Sequence, residues 1–241
     1  MNTASTKFGT LYFIPVTLGD NHIQRALPHD VITLAQSLDE FIVENEKTAR
    51  HFLAALPHPK PIRDLVLHSL NEHTLDKDLP TLLKPLLAGK HIGLMSEAGC
   101  PGIADPGAKL AALAHQKNIR VAPLVGPSSI LLSLMASGLN GQRFSFLGYL
   151  STDKTARVQQ LKELEKRARS YNETQLFIET PYRNQHLLDD ILANCHAETQ
   201  LCIACNISLD EEYIVTKRVK AWKQTTLPDL HKKPTVFLLL A

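Results

Sequence analysis

The sequence predicts an α/β protein made of two domains, and three observations carry that expectation. Short apolar runs alternate with helical patterns along almost the whole chain, as in layered α/β architectures with parallel strand pairings. Several of these runs end in loops of Gly, Ser and Pro, as strands do at the ligand-binding edge of an open sheet. The 241 residues, 44% hydrophobic and 21% charged, can bury a core in one large domain or two smaller ones. The texture changes near residues 122–126, which sets the expected domains at 1–122 and 123–241.

The elements follow in order. GTLYFIPV (9–16) reads as a first strand, with Gly19, Asp20 and Asn21 as the turn after it. EFIVEN (40–45) and DLVLHS (64–69) read as the next two strands, and LPTLLKPLL (79–87) as a helix that Pro85 kinks or bounds. KHIGLMS (90–96) is a fourth strand, 108–116 a helix, and NIRVAPLVG (118–126) another strand. GPSSILLSLMASGL (126–139) makes a short apolar helix and RFSFLGYL (143–150) a strand. Residues 153–171 form the clearest amphipathic helix, with Val158, Leu161 and Leu164 at helical spacing among charges. TQLFIETP (174–181), YRNQHLLDDILANC (182–195) and QLCIACNIS (200–208) read strand, helix, strand. EYIVTKRVKAW (212–222) and PTVFLLLA (234–241) read as the strands of a closing hairpin.

Composition excludes several classes. A net charge of +2 does not suggest a chain coated in nucleic acid. No apolar run approaches the ~18 residues of a membrane span, and MNTASTKFGTLYF lacks the charged start and apolar centre of a secretory signal. The expected location is therefore the cytoplasm. Cys202 and Cys205 fall three apart in a strand, where side chains alternate, so their thiols point to opposite faces rather than to one metal. Without a second Cys pair they read as core residues. His51, His58, His68 and His73 make no compact ligand set, so no metal is expected.

The loops carry the functional signal. SEAGCPGIADPG gathers small residues and turn formers directly after an apolar run. The dinucleotide fingerprint G-x-G-x-x-G is absent after the first strand, and so is the phosphate loop; Gly89-Lys90 precedes a strand, the wrong context. Gly126-Pro127-Ser128-Ser129 opens a helix whose first N–H groups could receive an anionic group. Local chemistry alone allows a nucleoside-like ligand without identifying it.

Taken in order, these segments resemble the tetrapyrrole methylase family. SEAGCPGIADPG is similar to the signature S-D-A-G-T-P-x-I-S-D-P-G, and GTLYFIPVTLGDN to G-T-L-Y-x-V-x-T-P-I-G-N. VGPSSILLSLMASGL, RFSFLGYL and FIETPYR resemble P-G-P-S-A…S-A-S-G-L, R-F-x-F-x-G-F-L and F-Y-E-S-P-H-R. Within the family, the segments are nearest the branch that methylates a cytidine ribose 2′-oxygen of small-subunit ribosomal RNA. The resemblance implies a class III methyltransferase fold, with S-adenosylmethionine (SAM) in a cleft between two α/β domains and the subunits paired as a homodimer. It assigns Ser96, Ala98, Gly99 and Ile103 to one side of the cofactor, and Ser128 and Ser129 to the other. Phe146, Gly148 and Pro181 would approach the adenine. VENEKTARHFL and LHSLNEHT stand where the family has A-E-D-T-R-x-T-x-x-L-L and S-Y-H-E-H-N. They make Glu44, Lys47, Arg50, Glu72 and His73 candidates on the substrate side, with Glu44, Lys47, Glu72 and His73 as the catalytic set.

The departures fall mainly on that substrate side. E-D-T-R has become Glu44-Asn45-Glu46-Lys47, and a lysine does not reproduce an arginine's bidentate fork. The signature aspartate has become Glu97, and ACNISLDEE replaces A-R-E-L-T-K. The expected function is SAM-dependent methylation with RNA, or a ribosomal subunit, as partner. Methylation of a small molecule such as a tetrapyrrole, or SAM binding without catalysis, stands as the alternative. Lys154, Arg157, Lys162, Lys166, Arg167 and Arg169 give the long helix a basic bias and make it the candidate RNA contact.

Overall fold

The computed structural model describes residues 8–19 and 22–241; Asp20 and Asn21 of the expected first turn lie outside the described residues, as does the start of the chain. Two compact units divide the chain, one ending at Ser128 and one beginning at Ser129.

The first unit is built on five parallel strands: β1 (Thr10–Phe13), β2 (Glu40–Val43), β3 (Val66–Ser69), β4 (Ile92–Met95) and β5 (Arg120–Pro123), in the order β3-β2-β4-β1-β5. β2 and β4 are fully buried, so they read as continuous apolar runs rather than alternating ones. Helices cover both faces: α1 (Ile23–Ala26), α2 (His29–Gln36), α3 (Glu46–Ala55), α4 (Leu79–Leu82), α5 (Lys84–Leu87) and α6 (Gly107–Gln116). One core gathers Ile14, Val31, Phe41, Phe52 and Leu53; the other gathers Leu11, Ile42, Leu83, Leu86 and Leu110.

Three sequence expectations change here. EFIVEN does not stay extended to residue 45: the strand ends at Val43, and Asn45 caps α3 by accepting Lys47 N–H at 2.9 Å and Thr48 N–H at 3.4 Å. α3 itself went unread, although buried Ala49, Phe52 and Leu53 stand at helical spacing. The expected helix 79–87 is two single turns meeting at Leu83, because Pro80 and Pro85 each suit only a first turn.

The second unit holds β6 (Phe144–Tyr149), β7 (Thr174–Ile178), β8 (Gln200–Cys205), β9 (Tyr213–Arg218) and β10 (Thr235–Leu240), in the order β6-β7-β10-β8-β9. Only β6 and β7 pair in parallel; the other pairings are antiparallel. Around the sheet lie α7 (Ser129–Ser137), α8 (Lys154–Tyr171), α9 (Asn184–Asn194) and α10 (Val219–Trp222). The closing hairpin is corrected. β10 inserts between β7 and β8, and β9 pairs with β8 at the edge. The last residues of the expected ninth strand wind into α10, which turns Val219 and Trp222 inward together; Trp222 Nε1 donates to Leu201 O at 2.9 Å. Cys202 and Cys205 are both buried, and only Cys205 joins the core around Phe177, Phe237 and Trp222.

Candidate cofactor and substrate site

In a parallel sheet every strand delivers the chain to the same edge. In the first unit that edge collects the loops after β1, β2, β3, β4 and β5, the place where open α/β sheets take ligands.

The loop after β4 is the most constrained. Ser96 Oγ donates to Ala98 O at 3.2 Å and turns the chain as it leaves the strand. Gly99 follows with φ +72°, a left-handed conformation that costs an L-residue about 1–2 kcal/mol. A Cβ there would stand 3.2 Å from Leu18 Cδ2 and from Pro127 O. Gly99 O accepts Val16 N–H at 2.9 Å, joining this loop to the one after β1. Cys100 Sγ donates to Pro127 O at 3.3 Å, joining it to the loop after β5. Asp105 closes the turn: its carboxylate accepts Gly102 N–H at 2.8 and 2.9 Å and Gly107 N–H at 2.7 Å. Burial raises the Asp105 pKa, opposed by those two N–H groups. The result is a rigid loop that leaves Ala98 and Ile103 exposed and Ser96 half-buried.

Glu44 leaves the end of β2 beside this loop, and its Oε2 accepts Glu97 N–H at 3.3 Å. Burial raises its pKa, the Glu97 N–H offsets part of the rise, and the carboxylates of Glu97, Asp105 and Glu72 add to it. Glu97, Asp105 and Glu72 thus lie within electrostatic reach of Glu44 at this edge. Next to it a cavity of about 190 Å³ opens between α3 and the loops, lined by Thr17, Thr48, His51 and Glu97 over Phe52 and Met95. The sequence reading missed Thr17, Thr48 and His51. Asn45 as a helix cap would have shown Thr48, His51 and Phe52 on one helical face.

The other substrate-side candidates do not converge so closely. Lys47 is exposed on the first turn of α3. Arg50 is engaged by Glu46 Oε2 at 3.4 Å and Ile62 O at 3.3 Å. His73 pairs with Glu72 at 3.6 Å on an exposed loop after β3. Ser128 ends the first unit, half-buried beyond the Gly126-Pro127 turn.

The second unit carries the remaining candidates. Ser129 opens α7. Phe146 is half-buried in β6, where the register with β7 shifts between Phe146 and Tyr149, and Gly148 bridges the shift with φ +67°. Pro181 lies after β7, its carbonyl accepting Lys232 N–H at 3.0 Å. Beside it, the buried Glu179 carboxylate accepts Thr180 N–H at 2.6 Å and Arg183 Nη2 at 2.7 Å.

The long helix differs from expectation in one residue above all. Arg157 is buried: its Nε and Nη2 donate to Asp190 Oδ2 at 2.8 and 2.6 Å, and its Nη1 to Ser151 O and Thr152 O. It ties α8 to α9 and offers nothing to RNA. Among the described residues no group of three His, Cys, Asp or Glu could hold a metal, and no helix is long and apolar enough to cross a membrane.

Solved structures share this architecture. Diphthine synthase superposes with a TM-score of 0.67 at 16% identity, covering 97% of this chain and 90% of that one. The methyltransferase CobJ gives 0.63 at 16%, covering 97% and 93%, and cobalt precorrin-4 methyltransferase gives 0.62 at 16%, covering 100% and 97%. The fold is thus that of the tetrapyrrole methylases. Sequence narrows the assignment: the chain belongs to the ribosomal RNA small subunit methyltransferase I family. It is 34% identical over 207 residues to the enzyme of that name from Vibrio cholerae, covering 85% of this chain and 67% of the relative. To the one from Synechocystis it is 33% identical over 200 residues, covering 81% and 66%. The chain thus spans about two thirds of the length of these relatives. No protein-family model matches it.

Proposed function

We propose that this protein transfers a methyl group from SAM to small-subunit ribosomal RNA, at a cytidine ribose 2′-oxygen. The observation that carries this reading is the locked loop after β4, joined by hydrogen bonds to the loops after β1 and β5, in a member of this methyltransferase family.

The residues present fit a SAM cofactor. Gly99 takes a positive φ, and a Cβ there would sit tightly at 3.2 Å from Leu18 Cδ2 and Pro127 O, which favours the bare backbone that lets a ligand approach closely. Exposed Ile103 suits an apolar part, and the carboxylates around Glu44 suit a cation. SAM supplies the sulfonium methyl that an oxygen nucleophile attacks. The chain's part is to bind, to align and to handle a proton. Ser96, Ala98, Gly99 and Ile103 would hold the cofactor from the first unit, with Ser128, and Ser129, Phe146, Gly148 and Pro181 from the second. Glu44, with its raised pKa, is the acceptor for the hydroxyl proton, and the cavity lined by Thr17, Thr48 and His51 receives the nucleotide. Lys47, Glu72 and His73 would meet the RNA around that cavity. The protein works in the cytoplasm, as a homodimer.

The test is tritiated methyl transfer to small ribosomal subunits. Incorporation that Glu44→Gln reduces by about 10²-fold or more fits a general base. Wild-type protein that binds SAM but labels no RNA would contradict the reading. The raised Glu44 pKa adds a pH signature. A bound sulfonium favours ionised Glu44, so SAM affinity rises as pH climbs through the raised Glu44 pKa. S-adenosylhomocysteine, with no sulfonium charge, should show a flatter profile. Identical profiles for the two ligands would count against Glu44 facing the cofactor.

A further inference from the structure

At the amino edge of the second sheet lies a cluster that the catalytic reading does not use. β6 and β7 run in parallel, so Arg143, before β6, meets Glu173, before β7. α8 ends beside them, bringing Arg167 and Tyr171. Glu173 holds both arginines: Arg143 Nε donates to its Oε2 at 3.3 Å and Arg167 Nε to its Oε1 at 2.6 Å. Ser145 Oγ and Gln175 Nε2 also donate to that Oε1, at 2.8 and 2.9 Å. Arg143 lies over the Tyr171 ring, 4.7 Å from its centroid.

The carboxylate is buried, but what it holds is not. Its side chain is 7% exposed, those of Arg143 and Arg167 are 55% and 50% exposed, and Tyr171 is 54% exposed. Both arginines are gripped through Nε; among the described residues the terminal nitrogens of Arg143 make no hydrogen bond, and Arg167 Nη2 donates only to Ser145 Oγ, at 3.3 Å. The hydrogen bonds around the buried carboxylate contribute stability, while fixing two long, half-exposed side chains costs rotamer entropy. The pairing with Glu173 does not account for the outer faces of Arg143, Arg167 and Tyr171, which stay open to solvent. Its geometry suits a ligand: fixed guanidinium forks match phosphate oxygens, and a half-exposed ring stacked with arginine matches a nucleobase face.

We propose that Arg143, Arg167 and Tyr171 form a contact for single-stranded RNA, the arginines on phosphates and the ring on a base, with Glu173 as the positioning residue. The proposal rests on the RNA-methylating reading above and narrows the expected RNA contact from the length of α8, whose first turn holds the buried Arg157, to its carboxyl end. A pKa held down to about 2 keeps Glu173 ionised wherever the protein is folded, so the grip on both arginines persists.

The experiment measures fluorescence anisotropy of a labelled single-stranded RNA oligonucleotide against the full chain over a salt series. Methyl transfer to small ribosomal subunits and SAM calorimetry run alongside. Tyr171→Ala should weaken RNA binding by about tenfold, the scale of one lost base stack. Arg167→Ala should lower the salt slope by about 1, as for one lost phosphate contact. Arg143→Lys, which keeps the charge and loses the fork, should also bind less tightly, and Glu173→Gln should raise the KM for subunits. SAM affinity and thermal midpoint should hold in Tyr171→Ala and Arg143→Lys. Unchanged RNA affinity and salt slope in all four variants would overturn the surface while leaving the methyltransferase reading intact. So would photo-crosslinks from position 171 that map to a ribosomal protein. Wild-type protein that neither binds nor methylates RNA would overturn both.

Discussion

Asp105 and Glu173 show what a single carboxylate does when its surroundings differ. Asp105 is partly desolvated and holds two backbone N–H groups, and burial wins, so its pKa rises. Glu173 has Gln175, Arg167, Ser145 and Arg143 around it, and the hydrogen bonds win, so its pKa falls to about 2. The signs differ for stability. A lowered pKa gives stability that is present above the unfolded value, about 4.3, and lost as pH falls through the folded one. We therefore expect wild-type stability to decline as pH is lowered from about 5 toward 2, and Glu173→Gln to lack that component in urea melts. Parallel wild-type and variant pH profiles would contradict the assignment. The glycines and Asp105 of the loop were visible in the sequence as turn formers. The Glu173 cluster was not, because its members come from α8, β6 and β7, and only strand pairing brings them together.

Between elements, the sequence was most legible where one periodicity dominated. α8 was legible to within a residue from Val158, Leu161 and Leu164 at helical spacing; in the structure Leu161, Leu164 and Ala168 are buried, and Asp153 caps the helix by accepting Ala156 N–H at 2.8 Å. The same spacing carries Arg157 onto the buried face, four residues before Leu161, although its charge argued for solvent. The closing hairpin failed for a different reason. Two apolar strands near the chain end look like neighbours, but nothing local says that the last will insert between β7 and β8. α3 is faint in sequence because charged and polar residues fill its first turn and only Ala49, Phe52 and Leu53 of its ten residues are buried. The Arg157–Asp190 pair gives the prediction at this scale. Arg157→Ala leaves the buried Asp190 with only the distant Lys154 Nζ, 3.9 Å away, and should cost about 3–5 kcal/mol. A loss under ~1 kcal/mol in chemical denaturation would show the pair to be no better than a surface one.

For the whole molecule, family membership and fold agree, and the substrate-side departures become specific. Glu44 is in place at the end of β2 and accepts a hydrogen bond from the loop after β4. Asn45, in the family's aspartate position, caps α3. Arg50 is committed to the Glu46 carboxylate and the Ile62 carbonyl. The central claim is that SAM binds at the loop after β4, and calorimetric titration with SAM and S-adenosylhomocysteine tests it most directly. The account predicts binding near the micromolar range, about −8 kcal/mol, abolished in Gly99→Trp, where a bulky side chain enters a positive-φ site whose Cβ would already stand 3.2 Å from Leu18 Cδ2 and Pro127 O. Equal SAM affinity in wild type and a folded Gly99→Trp variant, or no binding to well-folded wild type, would contradict it.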